Sequence, residues 1–287
     1  MIEQALYEHL IAQESLAPHL ARYDEKLAVF NQEAPADVDD LWECGRQYGR
    51  IVFAVDLQGD PERTMGGTLA VDIMCKEDEQ VPEEIEPILR DLIHGYFFSS
   101  HTFTVAAQWR DSSYFTQPTD HVTGCTLSFD LLAFPVITTK APDIVSRLNA
   151  WTGNIRPGIH VINLMPLPEA AWRPKGCNVA VYWRLVRDDK ANWIPDTFQT
   201  IWRTATIKGH IFAEHKAEAT SVALELTRRL HAAKRLLKPE ETPIMVNQRN
   251  YVDDGADPLK TGQVTVEATY GVIVHFEETG TIEHINY

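Results

Sequence analysis

"VTGCTLSFDLLAFP" (Val122–Pro135) alternates apolar and polar residues like a β-strand and stops at a proline, which cannot donate to a sheet ladder. It reads as the closing strand of a domain, yet 152 residues follow it. Those residues approach their end on a comparable run, "TGQVTVEATYGVIVHF" (Thr261–Phe276), in which Val264, Val266, Ala268 and Tyr270 alternate. Both runs open on Thr-Gly, so the fold question is one of repetition.

Working back from the first run, "TFTVAAQW" (Thr102–Trp109) reads as a strand. Before it, Ile85, Ile88, Leu89, Leu92, Ile93, Tyr96 and Phe97 form one apolar stripe at helical spacing, with Pro82 or Pro87 suited to the first turn. "GTLAVDIMC" (Gly67–Cys75) and "RIVFAVDL" (Arg50–Leu57) read as strands separated by the turn signal "LQGDPER". A helix over Met1–Gln13 buries Ile2, Leu6 and Leu10, and the proline-containing "NQEAPADVDD" connects it onward. After Pro135 the series recurs. "PDIVSRLNAW" (Pro142–Trp151) predicts a helix, and "NVAVYWRLV" (Asn178–Val186) and "TATIKGHIFA" (Thr204–Ala213) predict strands joined by a long loop. A helix over Ala219–Leu237 with Val222, Leu226 and Leu230 on one face follows, then a short strand, "TPIMVNQ".

The order helix, strand, strand, helix, strand, strand is therefore given twice. It predicts an α+β fold of two similar domains, 1–137 and 142–287, each a mostly antiparallel or mixed sheet packed against helices. Thr68 and Thr123 are 55 residues apart, as are Thr206 and Thr261, and Ile88/Leu226 and Leu92/Leu230 then match at 138 residues. The alternation of the two closing strands is one residue out of phase, which requires an insertion or bulge. The alternative is two unrelated α+β domains of similar order.

Composition narrows the function. Residues 1–140 hold 9 Lys and Arg against 24 Asp and Glu, and residues 141–287 hold 17 of each, so the whole net charge of −15 lies in the first half. Such a half repels a nucleic-acid backbone. No apolar run approaches the ~18 residues of a membrane span, and the opening residues lack a secretion-signal layout. The cysteines, Cys44, Cys75, Cys125 and Cys177, have no zinc spacing, and three lie in or beside apolar runs, which predicts buried free thiols.

Catalytic signatures are missing: there is no G-x-G-x-x-G, Walker A, G-x-S-x-G or H-E-x-x-H pattern. His210 and His215, with Glu214, are the nearest approach to a metal set but fall on opposite faces of a strand. His94 reads as a packed, hydrogen-bonded histidine. "DDGAD" (Asp253–Asp257) lacks EF-hand spacing and reads as a hairpin turn. "KEDEQVPEEIE" (Lys76–Glu86) places carboxylates before and within a helix's first turn, where the helix dipole favours them. Trp172, Tyr182, Trp183, Trp193, Phe198 and Trp202 crowd the second half; aromatic-rich loops suit protein contacts, and of the adjacent Tyr182 and Trp183 one is expected in the core and the other at an interface.

With its elements in order, the first half resembles the phage tail terminator (tail-completion) family. The resemblance rests on "ALYEHLIAQ", "YDEKLAVFNQEAP", "RIVFAVDL", "GGTLAVDIMCKED", "PEEIEPILRDLI" and "CTLSFDLLAFP" and covers about residues 1–135. The second half looks like a diverged copy. The resemblance implies a ring, usually hexameric, that caps the tail tube and joins it to the head or neck, with no catalytic residue, cofactor or metal to carry over. It implies tube, sheath and neck or connector proteins as partners, duplex DNA only in passage, no membrane, and a place in the virion tail after assembly in the host cytoplasm. A lumen that DNA slides through is better lined by carboxylates than by cations. The expected lumen residues are Asp37, Asp39, Asp40, Glu77, Asp78, Glu79, Glu83 and Glu84, and the expected interface aromatics are Trp172, Trp193, Phe198 and Trp202. A fused pair permits three chains with pseudo-sixfold symmetry, or six chains carrying the second copy as another layer; the charge difference between halves favours the latter. The alternatives are another neck or baseplate protein, and a soluble α+β enzyme or ligand-binding protein using the aromatic and histidine region.

Overall fold

A computed structural model describes residues 2–57, 66–79, 81–99, 104–118, 120–136, 143–197, 200–236, 244–247, 251–252 and 262–273. The chain begins with α1 (Ile2–Ile11), a small hairpin of β1 (Arg22–Tyr23) and β2 (Lys26–Leu27), then β3 (Val29–Asn31), β4 (Arg50–Leu57) and β5 (Gly67–Lys76). Next come α2 (Pro82–Ile93), β6 (Phe97–Ser99), β7 (Thr104–Gln117) and β8 (Val122–Ala133). The rest comprises α3 (Ile144–Gly153), β9 (Ile159–Val161), β10 (Ala171–Trp172), β11 (Val179–Lys190), β12 (Thr200–Phe212), α4 (Lys216–Ala233), β13 (Arg235–Leu236), β14 (Ile244–Val246), β15 (Tyr251–Val252) and β16 (Val264–Ile273).

The fold is α+β with two sheet bodies. The first sheet runs β10-β6-β7-β8-β5-β4-β3, the second β13-β14-β16-β12-β11-β9 with β15 also on β16. Leaving aside β10 and β15, the two orders correspond strand for strand, with α2 and α4 at the same point of the connection. The units are Met1–Val136 with Met165–Ala180, and the remainder. Met165–Ala180, which the sequence reading placed in the second domain, belongs to the first unit because β10 pairs with β6, Trp172 opposite Phe97.

In the first unit, Phe53, Leu69, Val71, Ile73, Leu127 and Phe129 point to one side of the sheet and meet Leu6 and Leu10 of α1 and Ile85, Leu89 and Ile93 of α2 in one core. Each such fully buried side chain contributes about 1.5–3 kcal/mol. Helix α2 begins on Pro82 and carries Glu83 and Glu84 in its first turn. It ends at His94, where Gly95 takes φ +77. Tyr96 and Phe97, assigned to the helical stripe by spacing, therefore lie beyond it, and Phe97 is buried in β6 against Phe134 and Trp172, ring centroids 5.6 and 5.9 Å away.

The repeat is offset in a way the sequence showed only in part. Leu69, Val71 and Ile73 of β5 correspond to Ile207, Gly209 and Ile211 of β12, 138 residues on. The buried set of α2, Pro82, Ile85, Glu86, Leu89 and Ile93, reappears in α4 only 137 residues on, as Ala219, Val222, Ala223, Leu226 and Leu230. One residue is lost between β12 and α4. Leu89 and Ile93, not Ile88 and Leu92, are thus the counterparts of Leu226 and Leu230. The strand registers agree: Thr68 pairs with Asp130, whereas Thr206 pairs with Glu267. Val264, Val266 and Ala268 are buried on the core side like Leu127, Phe129 and Leu131. Thr265 lies on the other face, yet it is buried and accepts from Lys208 Nζ at 2.6 Å. The shared Thr-Gly is not structurally equivalent: Gly124 lies within β8 under the Phe115 ring, whereas Gly262 precedes β16 at φ +72.

The second unit is centred on Trp183, 1% exposed, whose Nε1 donates to Thr152 Oγ1 of α3 at 2.9 Å. Its ring lies on Gly209, where a Cβ would come within 2.6 Å of Cζ3. Tyr182, the neighbour on the opposite face, is also buried, beside His210 at 5.9 Å between ring centroids, so neither residue of the pair lies on the surface. Among the described residues no helix is long and apolar enough to cross a membrane.

Candidate functional surface

The first sheet has a second face. Where Phe53, Val71 and Leu127 point into the core, their neighbours point away from it, and strand register sorts these into rows. Asp56, Thr68, Asp130 and Gln108 form one row; Ala54, Ala70, Ser128 and Asp111 the next; Val52, Asp72, Thr126 and Ser113 the third. None of these twelve is buried. Apart from the carboxylates, only Gln108 and Val52 exceed threonine in size, so these three rows are smooth, polar and acidic. The next row, Arg50, Met74, Gly124 and Phe115, is bulkier and ends the acidic stretch. Thr126 Oγ1 donates to Asp72 Oδ1 at 2.5 Å. β7 carries a bulge between Trp109 and Asp111, and the extra residue, Arg110, bonds both Asp111 (3.1 Å) and Asp130 (3.3 Å).

The eight carboxylates expected at a lumen do not lie on these rows. Asp37, Asp39 and Asp40 are in the β3–β4 connection, Glu77, Asp78 and Glu79 in the turn after β5, and Glu83 and Glu84 in the first turn of α2. They gather toward the end of the sheet where β5 stops. There Asp37 accepts from Arg50 at 2.6 Å and from the Tyr48 hydroxyl at 2.8 Å, and Lys76 and Arg50 each lie 4.8 Å from the Tyr48 ring. Asp39 accepts from the Tyr23 hydroxyl at 3.0 Å and caps Leu41 N. Burial raises the Asp37 carboxyl, but the bonds from Arg50 and Tyr48 outweigh it and hold it below the usual carboxylate range. A depressed carboxyl contributes stability above its ordinary value near ~3.9 and loses it as pH falls through the folded value. Asp37→Asn should therefore lower the urea midpoint at pH 7, and the two proteins should converge as the pH falls through the depressed value of the folded carboxyl.

The expected interface aromatics fall in different units. Trp172 is half-buried in β10 of the first; Trp193, 66% exposed, and the half-buried Trp202 are in the second; Phe198 lies outside the described residues. Asp253–Asp257 lies outside them too. Two of the four cysteines, Cys44 and Cys177, are exposed, and burial pushes the Cys75 and Cys125 thiols up to about 11.

The residues of the enzyme reading are dispersed. His210 is buried on β12, and His215 is the exposed N-cap of α4. His94 is hydrogen-bonded, its Nδ1 accepting from Trp109 N at 3.2 Å, but is exposed rather than packed. Among the described residues no three His, Cys, Asp or Glu side chains are grouped to hold a metal. A groove of about 470 Å³ beside α1, lined by Tyr7, Tyr23, Phe30, Glu3, Asp24 and Glu33 among others, contains none of the histidines of that reading. The acidic sheet face was missed in the sequence, although Asp56, Asp72 and Asp130 each sit at the outward phase of a predicted strand. No protein-family model matches the chain, and no curated protein matches it significantly in sequence.

Proposed function

We propose that this protein is a structural component of a phage or phage-like tail, a ring-forming terminator of duplicated layout that caps the tail tube and joins it to the neck. The observation that carries the reading is the acidic face of the first sheet, built on short side chains. Across the three acidic rows a duplex sliding past meets Asp56, Asp72, Asp111 and Asp130 and no lysine, and Arg110 is already held by two of the four. The cations farther along the same face, Arg50 and Lys76, are bonded to Asp37 and to the Asp120 carbonyl. On this reading the lumen runs along this face, with the Asp37–Asp40 and Glu77–Glu84 carboxylates at one end of it. The matching strand orders of the two units support a tandem duplication, and the strong charge of only the first unit's half supports six chains with the second copy as a separate layer. Electron microscopy of the purified protein tests the reading. A ring with a pore passing a duplex of about 20 Å, nearly twice the width of its major groove, is the expected result. A population of lone globular particles, alone and with tube protein added, would overturn it.

A further inference from the structure

We infer that the free edge of β7, Asp111–Gln117, pairs antiparallel with the same edge of a second copy of this chain. The inference does not depend on the ring.

Strand β6 covers only Thr104–Ala106 of β7, and the loop before β6 extends the cover to Ala107, through Gly95 N to Ala107 O (2.8 Å) and Ala107 N to Tyr96 O (2.9 Å). His94 then takes Trp109 N. Past the bulge at Arg110, β7 pairs with β8 on one side through Gln117, and among the described residues no strand lies on its other side. Phe134 N donates to Thr104 O, which sets the alternation: even-numbered residues of β8 bond to β7. Ser113, Phe115 and Gln117 therefore bond to Thr126, Gly124 and Val122, and the main-chain groups of Ser112, Tyr114 and Thr116 point outward.

Proteins blunt such edges with lysine, proline or dense charge. The edge of β11 beyond β9 follows that rule: Arg184–Lys190 carries five charges in seven residues. Asp111–Gln117, "DSSYFTQ", carries one charge, no lysine and no proline, and its central Tyr114 is 51% exposed. Its length is set on both sides, by the bulge at Arg110 and by Pro118.

The segment fits itself. A two-fold axis at Tyr114 places Tyr114 opposite Tyr114, Ser112 opposite Thr116, Ser113 opposite Phe115, and Asp111 opposite Gln117. All three outward-facing residues become hydrogen-bonded pairs, and no like charges oppose. The four-residue free edge of β4, Ala54–Leu57, is shorter and carries Asp56, and it offers a poorer match. A two-fold contact of this kind is isologous and closes on itself.

The test uses the full chain with Cys44→Ser, Cys177→Ser and Cys125→Ala as background, the last because Cys125 lies opposite position 114 on β8 and would otherwise capture a cysteine placed there. In a hydrogen-bonded pair the Cα atoms are about 5.5 Å apart, within disulfide reach. Tyr114→Cys should give mostly disulfide-linked dimer under mild oxidation, and Val186→Cys on the guarded β11 edge should give mostly monomer. Tyr114→Lys, which sets two cations opposite each other, should halve the native mass by light scattering with the circular dichroism unchanged. If the ring reading fails, the species that splits is a dimer of the 32.5 kDa chain. If it holds, a pair of rings splits into single rings. Unchanged mass in Tyr114→Lys, or no preference for linkage at Tyr114→Cys over Val186→Cys, overturns the inference; an edge kept for a different protein would give that same negative result.

Discussion

Trp183→Ala is expected to destabilise the second unit by about 4 kcal/mol, the range for removing a large buried aromatic. The ring is fully enclosed, and its loss strips Thr152 Oγ1, itself buried, of its indole donor. Gly209 makes the test sharper. Any side chain there must enter the space the indole occupies, so Gly209→Ala alone should cost about 2 kcal/mol through overpacking. In the Trp183→Ala background that space is empty, and the same methyl group should cost little or even fill it. The double variant should therefore fall short of the summed single effects by at least about 1 kcal/mol, the signature of residues in direct contact. The measurement must resolve the units, because one unfolding curve over two cooperative bodies is not two-state. Amide exchange in β12 and β16 against exchange in β5 and β8 does so. A loss spread equally over both units, or strict additivity, would contradict the packing described.

The second large effect concerns the sheet face. Asp72→Lys with Asp130→Lys turns two outward carboxylates per chain into ammonium groups and leaves the core side of both strands unchanged. Wild type is expected to retain no duplex DNA at 50 mM salt. The variant is expected to bind it without sequence preference, and six to ten phosphate contacts around a ring would weaken that binding roughly a thousandfold or more between 50 and 200 mM salt. In assembled particles the same change should stall DNA passage. Failure of the variant to bind, or binding indifferent to salt, would remove this face from consideration as a lumen. Arg110 must be watched in the design, because the Asp130 change frees one of its two partners and leaves Asp111.

The long strands and helices were legible because each repeats an apolar position often enough to declare its period. "GTLAVDIMC" declares period two over β5, and the stripe from Ile85 to Ile93 declares 3.6 over α2. β3, β6, β9 and β10 were not legible, since two or three residues contain no period. Their existence depends on a neighbouring edge that only the folded chain provides. β10 shows this most clearly: Trp172 looked like part of the aromatic group of the second half, but its pairing partner is Phe97, far back in the chain. The two copies were also aligned on their closing Thr-Gly, a local likeness, when the buried side of the helix was the more reliable guide. For the site, density of charge in the loops drew the reading to Asp37–Asp40 and Glu77–Glu84. The carboxylates of the sheet face are sparse in sequence and gather only across strands. Asp56, Asp72 and Asp130 were available from strand phase, whereas Asp111 was concealed by the bulge, which shifts the alternation of β7 by one.

The return of Met165–Ala180 to the first unit means that the polypeptide crosses between the units three times rather than once. A protease nicking the connection after Val136 would therefore not release two halves. The downstream fragment would still carry β10, hydrogen-bonded to β6, with Arg173 held by the Asp91 carbonyl and carboxylate at 3.0 and 3.1 Å. A nicked molecule would remain laced together, and either half expressed by itself would lack an edge strand or carry an orphaned one.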